Sequence, residues 1–337
     1  MLKNILKALT AAMAASIILW ILASAAPGKP TPLVKAVLQE VLSVGGLSED
    51  KLLMWVGLAV DDDGRMFVTD ALDFSIKVFD AQGRLVRKAG RAGTGPGEFQ
   101  ALRELGLSRS EVYVTDQYRP EVSVFNKQLE FQRTIPLSRA ISCLRVGRDG
   151  ALAAVGLAMN KGDRAAIWLA DSQGRTTGEI AYGIDQDNPA ADRACFAFSG
   201  QDLVLAYNFK DRLERVDRQG HKSWSRSLFH LPDVPMKSFL GMKLPNKFIY
   251  KDVAVDSAGR IYVLGGGLAD PPSREVYVLT PEGELLARIL LPDTSHCLAI
   301  DSHDFLYSRA DDGLTIKKFK VQFLPEKRQG LQGERRP

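Results

Sequence analysis

Short apolar runs separated by turn residues recur along much of the chain. The stretch Gly57–Leu105 holds four such runs, each rich in β-branched or aromatic side chains. Residues typical of tight turns, such as Asp63–Gly64 and Gln82–Gly83, lie between them. This pattern predicts four short strands joined as antiparallel hairpins. Because hairpins of this length cannot bury both faces alone, we expect them to stack on similar units.

The same unit is repeated through the chain. Its first strand begins with an apolar-x-apolar triplet at six places, which lie 39 to 57 residues apart. These triplets start at Leu58, Leu105, Leu144, Phe196, Val253 and Leu298. A period of about 40–50 residues with four strands per copy is typical of propeller blades. We therefore predict an all-β fold, a six-bladed β-propeller with four-stranded antiparallel blades.

The sixth copy ends at Phe323, before a fourth strand. The segment Val37–Val44 precedes the first blade and can supply that strand. Such pairing would close the ring between the two ends of the chain and remove exposed sheet edges. The apolar residues of Leu33–Val44 nevertheless fall at helical spacing. We expect an N-terminal strand because the ring requires one, although the local pattern alone favours a helix.

Residues 1–26 have the pattern of a signal peptide or an N-terminal membrane anchor. Lys3 and Lys7 precede the uncharged segment Ala8–Ala26, and Ala23–Ala25 has the small-x-small form of a cleavage site. The apolar run is also close to the length that spans a bilayer. Both alternatives predict an extracytoplasmic domain, periplasmic or secreted. We expect a linker at residues 27–32, the propeller at 33–324 and a polar, disordered tail at 325–337.

Charge argues against a nucleic-acid partner. The net charge is +4, and the two lysines of the N-terminal segment supply part of it. A nucleic-acid-binding domain would show a clustered basic face, which the sequence does not indicate. We expect membrane contact only through the possible N-terminal anchor.

One blade carries a more specific resemblance. Phe67–Asp70, Ile76–Asp80 and the linker Gly93–Phe99, which reads GTGPGEF, resemble the NHL repeat. More closely, they are similar to bacterial six-bladed propellers whose blades carry a GxGPGEF linker. The resemblance implies a recognition or scaffold fold, and a minority of six-bladed relatives are hydrolases or lyases. The glycines of this linker favour a tight path between blades, with Phe99 between them, over a phosphate-binding loop, which would need a lysine and a following helix.

Alignment of the six repeats places chemically notable residues beside the central channel. One slot at the start of the inner strand holds Gly57, Glu104, Cys143, Cys195, Asp252 and Cys297. The preceding slot includes Arg103, Lys251 and His296. Blades two and five face each other in a six-fold ring, so Glu104 should oppose Asp252. We expect Arg103 and Lys251 to lie beside these carboxylates and to be able to neutralise them.

Three interpretations of this ring remain open. Cysteine is a small hydrophobe that suits a crowded inner strand, so the slot can be purely structural. The channel mouth can also form a binding pocket for a polar or charged ligand. We assign that candidate pocket to Arg103, Glu104, Cys143, Cys195, Lys251, Asp252, His296 and Cys297. A metal or catalytic centre is the third interpretation, but the ligand spacing is far from that of structural zinc sites.

The sequence thus favours a binding protein over an enzyme. We predict a module that binds a protein, peptide or glycan on the face formed by the linkers between blades, with no cofactor, no metal and no catalytic residue. The long linker Leu228–Tyr250 covers the channel mouth, presents an apolar patch to a partner or packs on blade four. Cys143 and Cys195, on adjacent blades, are the cysteines most able to form a disulfide. The alternative function is a metal-dependent, lactonase-like hydrolase or lyase with its site in the channel.

Overall fold

The computed structural model describes residues 33–46, 51–137, 141–156, 165–182, 189–232, 234–239, 242–245, 247–266, 274–310 and 312–324. The predicted N-terminal segment, the linker at residues 27–32 and the tail at residues 325–337 lie outside these ranges. The corresponding boundaries therefore stay predictions. Among the described residues, no helix is both long enough and apolar enough to cross a membrane.

Six antiparallel sheets of four strands form the six blades, which confirms the predicted fold. The described chain begins with β1 (Lys35–Gly45). Blades one to three follow, each from its inner to its outer strand: β2 (Trp55–Val60), β3 (Met66–Asp70), β4 (Ser75–Phe79), β5 (Leu85–Ala89); β6 (Leu102–Leu107), β7 (Glu111–Asp116), β8 (Arg119–Asn126), β9 (Phe131–Pro136); β10 (Ile141–Val146), β11 (Leu152–Gly156), β12 (Ala166–Ala170), β13 (Thr176–Ala181).

The second half of the ring repeats this order with two additional short elements. A 3-10 helix, η1 (Pro189–Asp192), precedes blade four, and the hairpin of β18 (Met236–Phe239) and β19 (Met242–Pro245) precedes blade five. The blades are β14 (Ala194–Ser199), β15 (Asp202–Tyr207), β16 (Leu213–Val216), β17 (Lys222–Arg226); β20 (Tyr250–Val255), β21 (Ile261–Gly265), β22 (Glu275–Leu279), β23 (Leu285–Leu290); and β24 (Leu298–Ile300), β25 (Phe305–Arg309), β26 (Thr315–Leu324).

The strand β1 completes blade six. It pairs antiparallel with β26, from Lys35 opposite Leu324 to Gly45 opposite Thr315, with a register shift between Glu40 and Leu42. The prediction of a strand is confirmed, and the helical spacing of the apolar residues is misleading. Pairing with β26 gives the backbone its hydrogen bonds and leaves no open edge, which outweighs local propensity.

A recurring turn explains why the chain reverses where it does. At Asp61 the carboxylate accepts hydrogen bonds from the backbone N–H of Asp63 and Arg65, while the Arg65 guanidinium donates to its second oxygen. Gly64 takes the positive φ of 75° that this turn requires. Equivalent carboxylates organise the turns at Asp80, Asp171, Asp217 and Asp256. Each turn thus satisfies its own backbone donors.

The hydrophobic core lies between neighbouring blades. Phe196 of blade four packs with Ile167 of blade three, and Tyr250 of blade five packs with Leu213 of blade four. Apolar side chains fill the spaces between the sheets. The inner strand of each blade borders a central channel.

Candidate functional site

The central channel of the propeller forms a cavity. Its volume is about 780 Å³, within the range of small-molecule sites. The inner strands of all six blades line it. All eight residues of the predicted pocket also line it: Arg103, Glu104, Cys143, Cys195, Lys251, Asp252, His296 and Cys297. The repeat alignment therefore brought together residues that share one cavity, while their binding of a ligand stays a prediction.

These residues lie towards one end of the channel. In every blade, the chain enters the inner strand at this end, and the turn between the second and third strands lies at the same end because the strands are antiparallel. We call this end the linker face, since the linkers between blades run across it. The opposite end carries the turns between first and second strands, including Asp62 and Arg148.

A guanidinium from blade three joins the two acidic residues. Arg145 donates from Nη1 to Oε2 of Glu104 over 3.3 Å and from Nη2 to Oδ1 of Asp252 over 2.9 Å. It thereby links blades two and five across the channel, as the predicted opposition of Glu104 and Asp252 requires. Asp252 is further held by the backbone N–H groups of Val253 and Leu298.

The sequence contained a signal for Arg145 that the predicted pocket omits. The slot two residues beyond the cysteine position holds only alanine or glycine in the other five blades: Ala59, Gly106, Ala197, Ala254 and Ala299. One large basic side chain in a slot of small residues has room to extend into the channel. Its role in bridging Glu104 and Asp252 could have been suspected on that ground.

Both carboxylates are perturbed by their surroundings. Burial raises the pKa of Glu104, the attraction of Arg145 opposes the rise, and the negative charge of Asp252 adds to it. Burial also raises the pKa of Asp252, against the attraction of Arg145 and the hydrogen bond from Leu298. Two carboxylates share one arginine, so the cluster would carry an excess negative charge if both were ionised.

Arg103 and Lys251, which we expected beside these carboxylates, also contact other groups. The Arg103 guanidinium donates to Oε1 of Gln117 over 2.8 Å, and Nζ of Lys251 donates to the carbonyl of Ser295 over 3.2 Å. The attraction of Arg103 also lowers the pKa of Glu104, but less than that of Arg145 does. Arg145 therefore does most to neutralise Glu104, Arg103 contributes less, and a contribution of Lys251 stays a prediction.

The three cysteines are free thiols in the structure, including Cys143 and Cys195, the pair most able to form a disulfide. Cys143 belongs to the apolar cluster between blades three and four, and Cys195 belongs to the next cluster, between blades four and five. Their side chains thus pack in successive interfaces. Burial raises the pKa of Cys143 to about 11, and it raises the pKa values of Cys195 and Cys297 as well. Such thiols are poor nucleophiles and poor metal ligands at neutral pH.

The arrangement of these side chains also bears on metal binding. Within the described ranges, no three histidine, cysteine, aspartate or glutamate side chains converge in a way that could hold a metal ion. Asp252, a buried acidic residue of the channel, has its oxygens occupied by Arg145 and two backbone N–H groups.

The Glu98 carboxylate forms hydrogen bonds within the glycine-rich linker and with Arg91. Oε2 of Glu98 accepts a hydrogen bond from Gly95 N–H over 2.8 Å, and Oε1 accepts one from Arg91 over 2.8 Å. Phe99 is 1% exposed and lies 6.2 Å, centroid to centroid, from Phe125 of blade two. These contacts agree with a structural role, because the carboxylate occupies the place that a bound phosphate would need.

The long linker before blade five begins by packing on the propeller. The Asp211 carboxylate accepts hydrogen bonds from the Ser227 hydroxyl and from the backbone N–H of Leu228, Phe229 and Leu231. The ring of Phe229 packs 5.0 Å from Tyr277 of blade five.

The end of this linker reaches the channel. Phe248 lines the cavity and lies 5.0 Å from Phe209, ring to ring. The start of the linker thus packs on the propeller and its end contributes Phe248 to the cavity lining, while coverage of the channel mouth stays a prediction.

Comparison with known proteins supports the fold. A family model described as 6-bladed beta-propeller, DUF5128, matches residues 48–149. No curated protein sequence matches the chain. A member of the DUF4221 family from Bacteroides vulgatus is 14% identical, with a TM-score of 0.59 over 86% of this chain and 99% of that one.

Two further solved structures show how varied such neighbours are. Virginiamycin B lyase from Staphylococcus aureus is 12% identical, with a TM-score of 0.53 over 86% of this chain and 100% of that one. A Bacteroides fragilis protein named as a candidate exported protein is 12% identical, with a TM-score of 0.55 over 88% of this chain and 98% of that one. At these identities the similarity shows the propeller fold alone. The narrower resemblance to NHL repeats stays a prediction.

Proposed function

We propose that the chain is an extracytoplasmic binding module whose linker face recognises a protein or peptide, with a glycan as the alternative ligand. The observation that carries this proposal is a set of exposed apolar side chains on the linker face. They are Leu53, Met54, Leu72, Tyr118 and Phe248, all on linkers or turns of that face. Tyr118 is 70% exposed. Exposed aromatic and aliphatic side chains grouped on one face are typical of protein-binding surfaces.

The backbone beneath this surface is held in place. Oδ2 of Asp70 accepts from Leu53 N–H over 2.7 Å, and Oδ1 accepts from Met54 N–H over 2.9 Å. The Asp116 carboxylate accepts from the N–H of Tyr118 in the same way on blade two. The apolar side chains therefore project from ordered turns, which lowers the entropic cost of binding a partner.

Export is supported by the N-terminal pattern of two lysines, an uncharged apolar segment and a small-residue cleavage site. The exported Bacteroides fragilis neighbour agrees with it but carries little weight at its level of identity. A repeat scaffold with a fixed apolar face is suited to recognition in the cell envelope, where it would present one surface to a partner.

The alternative is a metal-dependent hydrolase or lyase with its site in the channel. The lyase among the structural neighbours is the reason to keep it in view. The ion pairs of Arg145 with Glu104 and Asp252 argue against it, because a carboxylate committed to a guanidinium is a weak metal ligand and a weak base. Metal analysis of the purified protein decides this point, since one stoichiometric divalent ion would favour the enzyme.

Site-specific photo-crosslinking tests the binding proposal. A photoreactive residue is placed at Tyr118 or at Leu72, on the linker face, in the full chain expressed in its native cells. Val86, which is 55% exposed on the outer strand of blade one, is the matched control. We expect one discrete adduct from the first two positions and none from Val86. Adducts of equal yield from all three positions, or none from Tyr118 and Leu72, would overturn the proposal.

A further inference from the structure

The outer strands β1 and β26 of blade six meet the rest of the chain at one place. β1 begins at Lys35 and β26 ends at Leu324, and these two residues are paired in the sheet. In each of the other blades a turn between the third and fourth strands takes this place. The ring of Phe323 lies 4.5 Å from the guanidinium of Arg260, in the turn between the first and second strands of blade five. Those turns lie opposite the linker face, so β1 begins and β26 ends on that opposite face.

The exposed face of this strand pair is apolar and positively charged. Residues paired across two strands share one face of the sheet, and every second residue returns to it. Near the start of β1 that face carries three cross-strand pairs: Lys35 with Leu324, Val37 with Gln322, and Gln39 with Lys320. All six side chains are exposed, and none is acidic. The other face packs on blade five through Ala36 and Phe323.

We call Leu33, Lys35, Val37, Lys320 and Leu324 the blade-six patch. Its three apolar side chains are between 37% and 46% exposed, and its two lysines add positive charge beside them.

The positive charge of the patch is not offset by the acidic residue of the same strand. Glu40 is the acidic residue of β1, and its carboxylate lies 3.5 Å from Nζ of Lys317. The negative charge of Glu40 is therefore balanced by a lysine outside the patch.

The sequence on both sides of the strand pair has the same character. Residues 27–34, which include Lys29, separate the uncharged segment Ala8–Ala26 from β1. Beyond β26, residues 325–337 lie outside the described ranges and carry two acidic and four basic side chains: Glu326, Glu334, Lys327, Arg328, Arg335 and Arg336. Basic residues that flank an apolar segment are typical of chains that contact anionic lipid headgroups.

From this juxtaposition we infer that the blade-six patch docks on the surface of an anionic membrane. Lys35 and Lys320 attract the headgroups, while Leu33, Val37 and Leu324 enter the interface between headgroups and acyl chains. The sequence alone led us to expect membrane contact only through the N-terminal segment. The structure adds a contact that the folded propeller itself makes, whether that segment is cleaved or retained.

Docking of this patch determines which way the propeller faces. The patch lies at the rim opposite the linker face, so the linker face is turned away from the bilayer. This inference goes beyond the proposed partner surface and does not rest on it. A protein adduct at Tyr118 tests the partner, whereas a lipid adduct at the patch tests the membrane contact, so failure of either proposal is distinguishable from failure of the other.

Photo-crosslinking to vesicles tests the inference. A photoreactive residue replaces Gln322, between the two lysines of the patch, in the full chain purified after export. The protein is mixed with vesicles of phosphatidylglycerol and phosphatidylcholine in equal amounts, and adducts are identified by mass spectrometry. The same replacement at Tyr118, on the linker face, is the control position. We expect lipid adducts from position 322 and none from position 118.

Two results would overturn the inference. The first is equal lipid adducts from both positions, and the second is no lipid adduct from position 322. An adduct between two protein chains at position 322, in place of a lipid adduct, would show that a second copy covers the patch and would also contradict the inference.

Charge variants then test the role of the lysines. A lysine near an anionic surface contributes enough attraction that Lys35→Gln and Lys320→Gln should each lower the lipid adduct yield at position 322 by about fivefold. Lys247→Gln removes an exposed lysine from a linker on the linker face and should leave the yield unchanged. Equal losses in all three variants would show an effect of overall charge and would contradict docking through the patch.

Conservative variants separate loss of charge from loss of folding. Lys35→Arg and Lys320→Arg keep the positive charge, so we expect the lipid adduct yield of the wild type from both. Thermal unfolding followed by circular dichroism shows that each variant is folded. Replacement of phosphatidylglycerol by phosphatidylcholine should lower the adduct yield as much as loss of both lysines does. A yield that is the same in folded Lys35→Gln, folded Lys320→Gln and the wild type would exclude the lysines as the groups that attract the membrane and would overturn the inference.

Discussion

Arg145 donates from Nη2 to Oδ1 of Asp252 over 2.9 Å, although the two residues belong to blades three and five and lie 107 positions apart in the sequence. A second bond from the same guanidinium reaches Glu104 on blade two. Blades that share no sheet are thus connected directly across the channel. Neighbouring blades contact each other through apolar side chains. Blades two and five are not neighbours, and the ionic contacts of Arg145 connect them instead.

Removal of this guanidinium should destabilise the ring. Arg145→Met leaves Asp252, whose side chain is 7% exposed, without its cation. We expect the free energy of unfolding to fall by about 2–3 kcal/mol, somewhat less than for a fully buried ion pair because Glu104 is reached by water. Urea denaturation at pH 7 measures the loss. The control Arg148→Met removes an ion pair between exposed side chains and should cost less than about 1 kcal/mol. Equal losses in the two variants would contradict the central role of Arg145.

Glu104 should make the protein more stable in mild acid than at neutral pH. Burial raises the pKa of its carboxyl in the folded state, so the folded protein binds that proton more tightly than the unfolded chain. Its contribution to stability is therefore fully present below the unfolded pKa of about 4.3 and is lost as the pH rises through the folded value. Glu104→Gln removes the excess charge while keeping an acceptor for Arg145.

We expect Glu104→Gln to stabilise the protein at pH 7 and to have little effect near pH 4. Urea unfolding at several pH values measures this difference. Glu121→Gln removes a carboxylate that pairs with Arg119 outside the channel and is the control for the loss of one negative charge. A stabilisation by Glu104→Gln that is the same at both pH values would show that ionisation of Glu104 is not its cause.

The blades could be predicted because their signals are local. Asp61 and Gly64 determine a turn within five residues, and alternation of apolar side chains determines which strand faces a neighbour. The slot alignment likewise placed Glu104 and Asp252 in one cavity, because a ring of repeats brings equivalent positions together.

The remaining features depend on contacts that no local pattern encodes. Arg145 acts over 41 and 107 positions, and its partners depend on how far its side chain extends into an open channel. Arg193 also lines the channel, but it lies just before β14 and outside the two aligned slots, so the alignment did not select it. For β1 the local pattern favoured a helix, and only pairing with β26 at the far end of the chain determines the strand.

Lys127, in the turn between β8 and β9 of blade two, should also make the stability of the protein depend on pH. Nζ of Lys127 lies 5.0 Å from the centre of the Phe67 ring and has no hydrogen-bond partner among the described residues. Burial lowers the pKa of Lys127 to about 8, although Asp61 opposes the change. Between pH 8 and pH 10.5 the unfolded chain binds more protons at this residue, so stability should rise with pH in that interval.

We expect Lys127→Met to stabilise the protein at pH 7 by about 1 kcal/mol. This is less than the free energy that corresponds to the full change in pKa, because the residue is only partly buried. The variant should also lose the rise in stability above pH 8. Lys320→Met removes an exposed lysine of β26 and is the control for overall charge. If both variants have the same pH profile, burial of Lys127 has no role in that profile.

Asp211 should control how firmly the long linker is held on the propeller. Its carboxylate accepts hydrogen bonds from Ser227, Leu228, Phe229 and Leu231 at 2.6–3.1 Å. Burial alone would raise the pKa of Asp211, but these hydrogen bonds lower that pKa below its usual range. The hydrogen bonds are therefore lost only in acid, as the pH falls through the lowered pKa. In Asp211→Ala, four linker donors lose one shared acceptor.

Hydrogen exchange followed by mass spectrometry measures the effect on the linker. Loss of about 1–2 kcal/mol of local stability predicts exchange about tenfold faster at residues 228–231 of Asp211→Ala, while exchange in blade one stays unchanged. The control Asp217→Ala removes a carboxylate that organises a turn within the same blade, so its faster exchange should be confined to residues 219–221.

Because this linker ends at Phe248 in the channel mouth, loosening of its start should also broaden the range of positions that Phe248 occupies. Unchanged exchange at residues 228–231 would mean that packing of Phe229 against Tyr277, rather than the carboxylate, holds the linker.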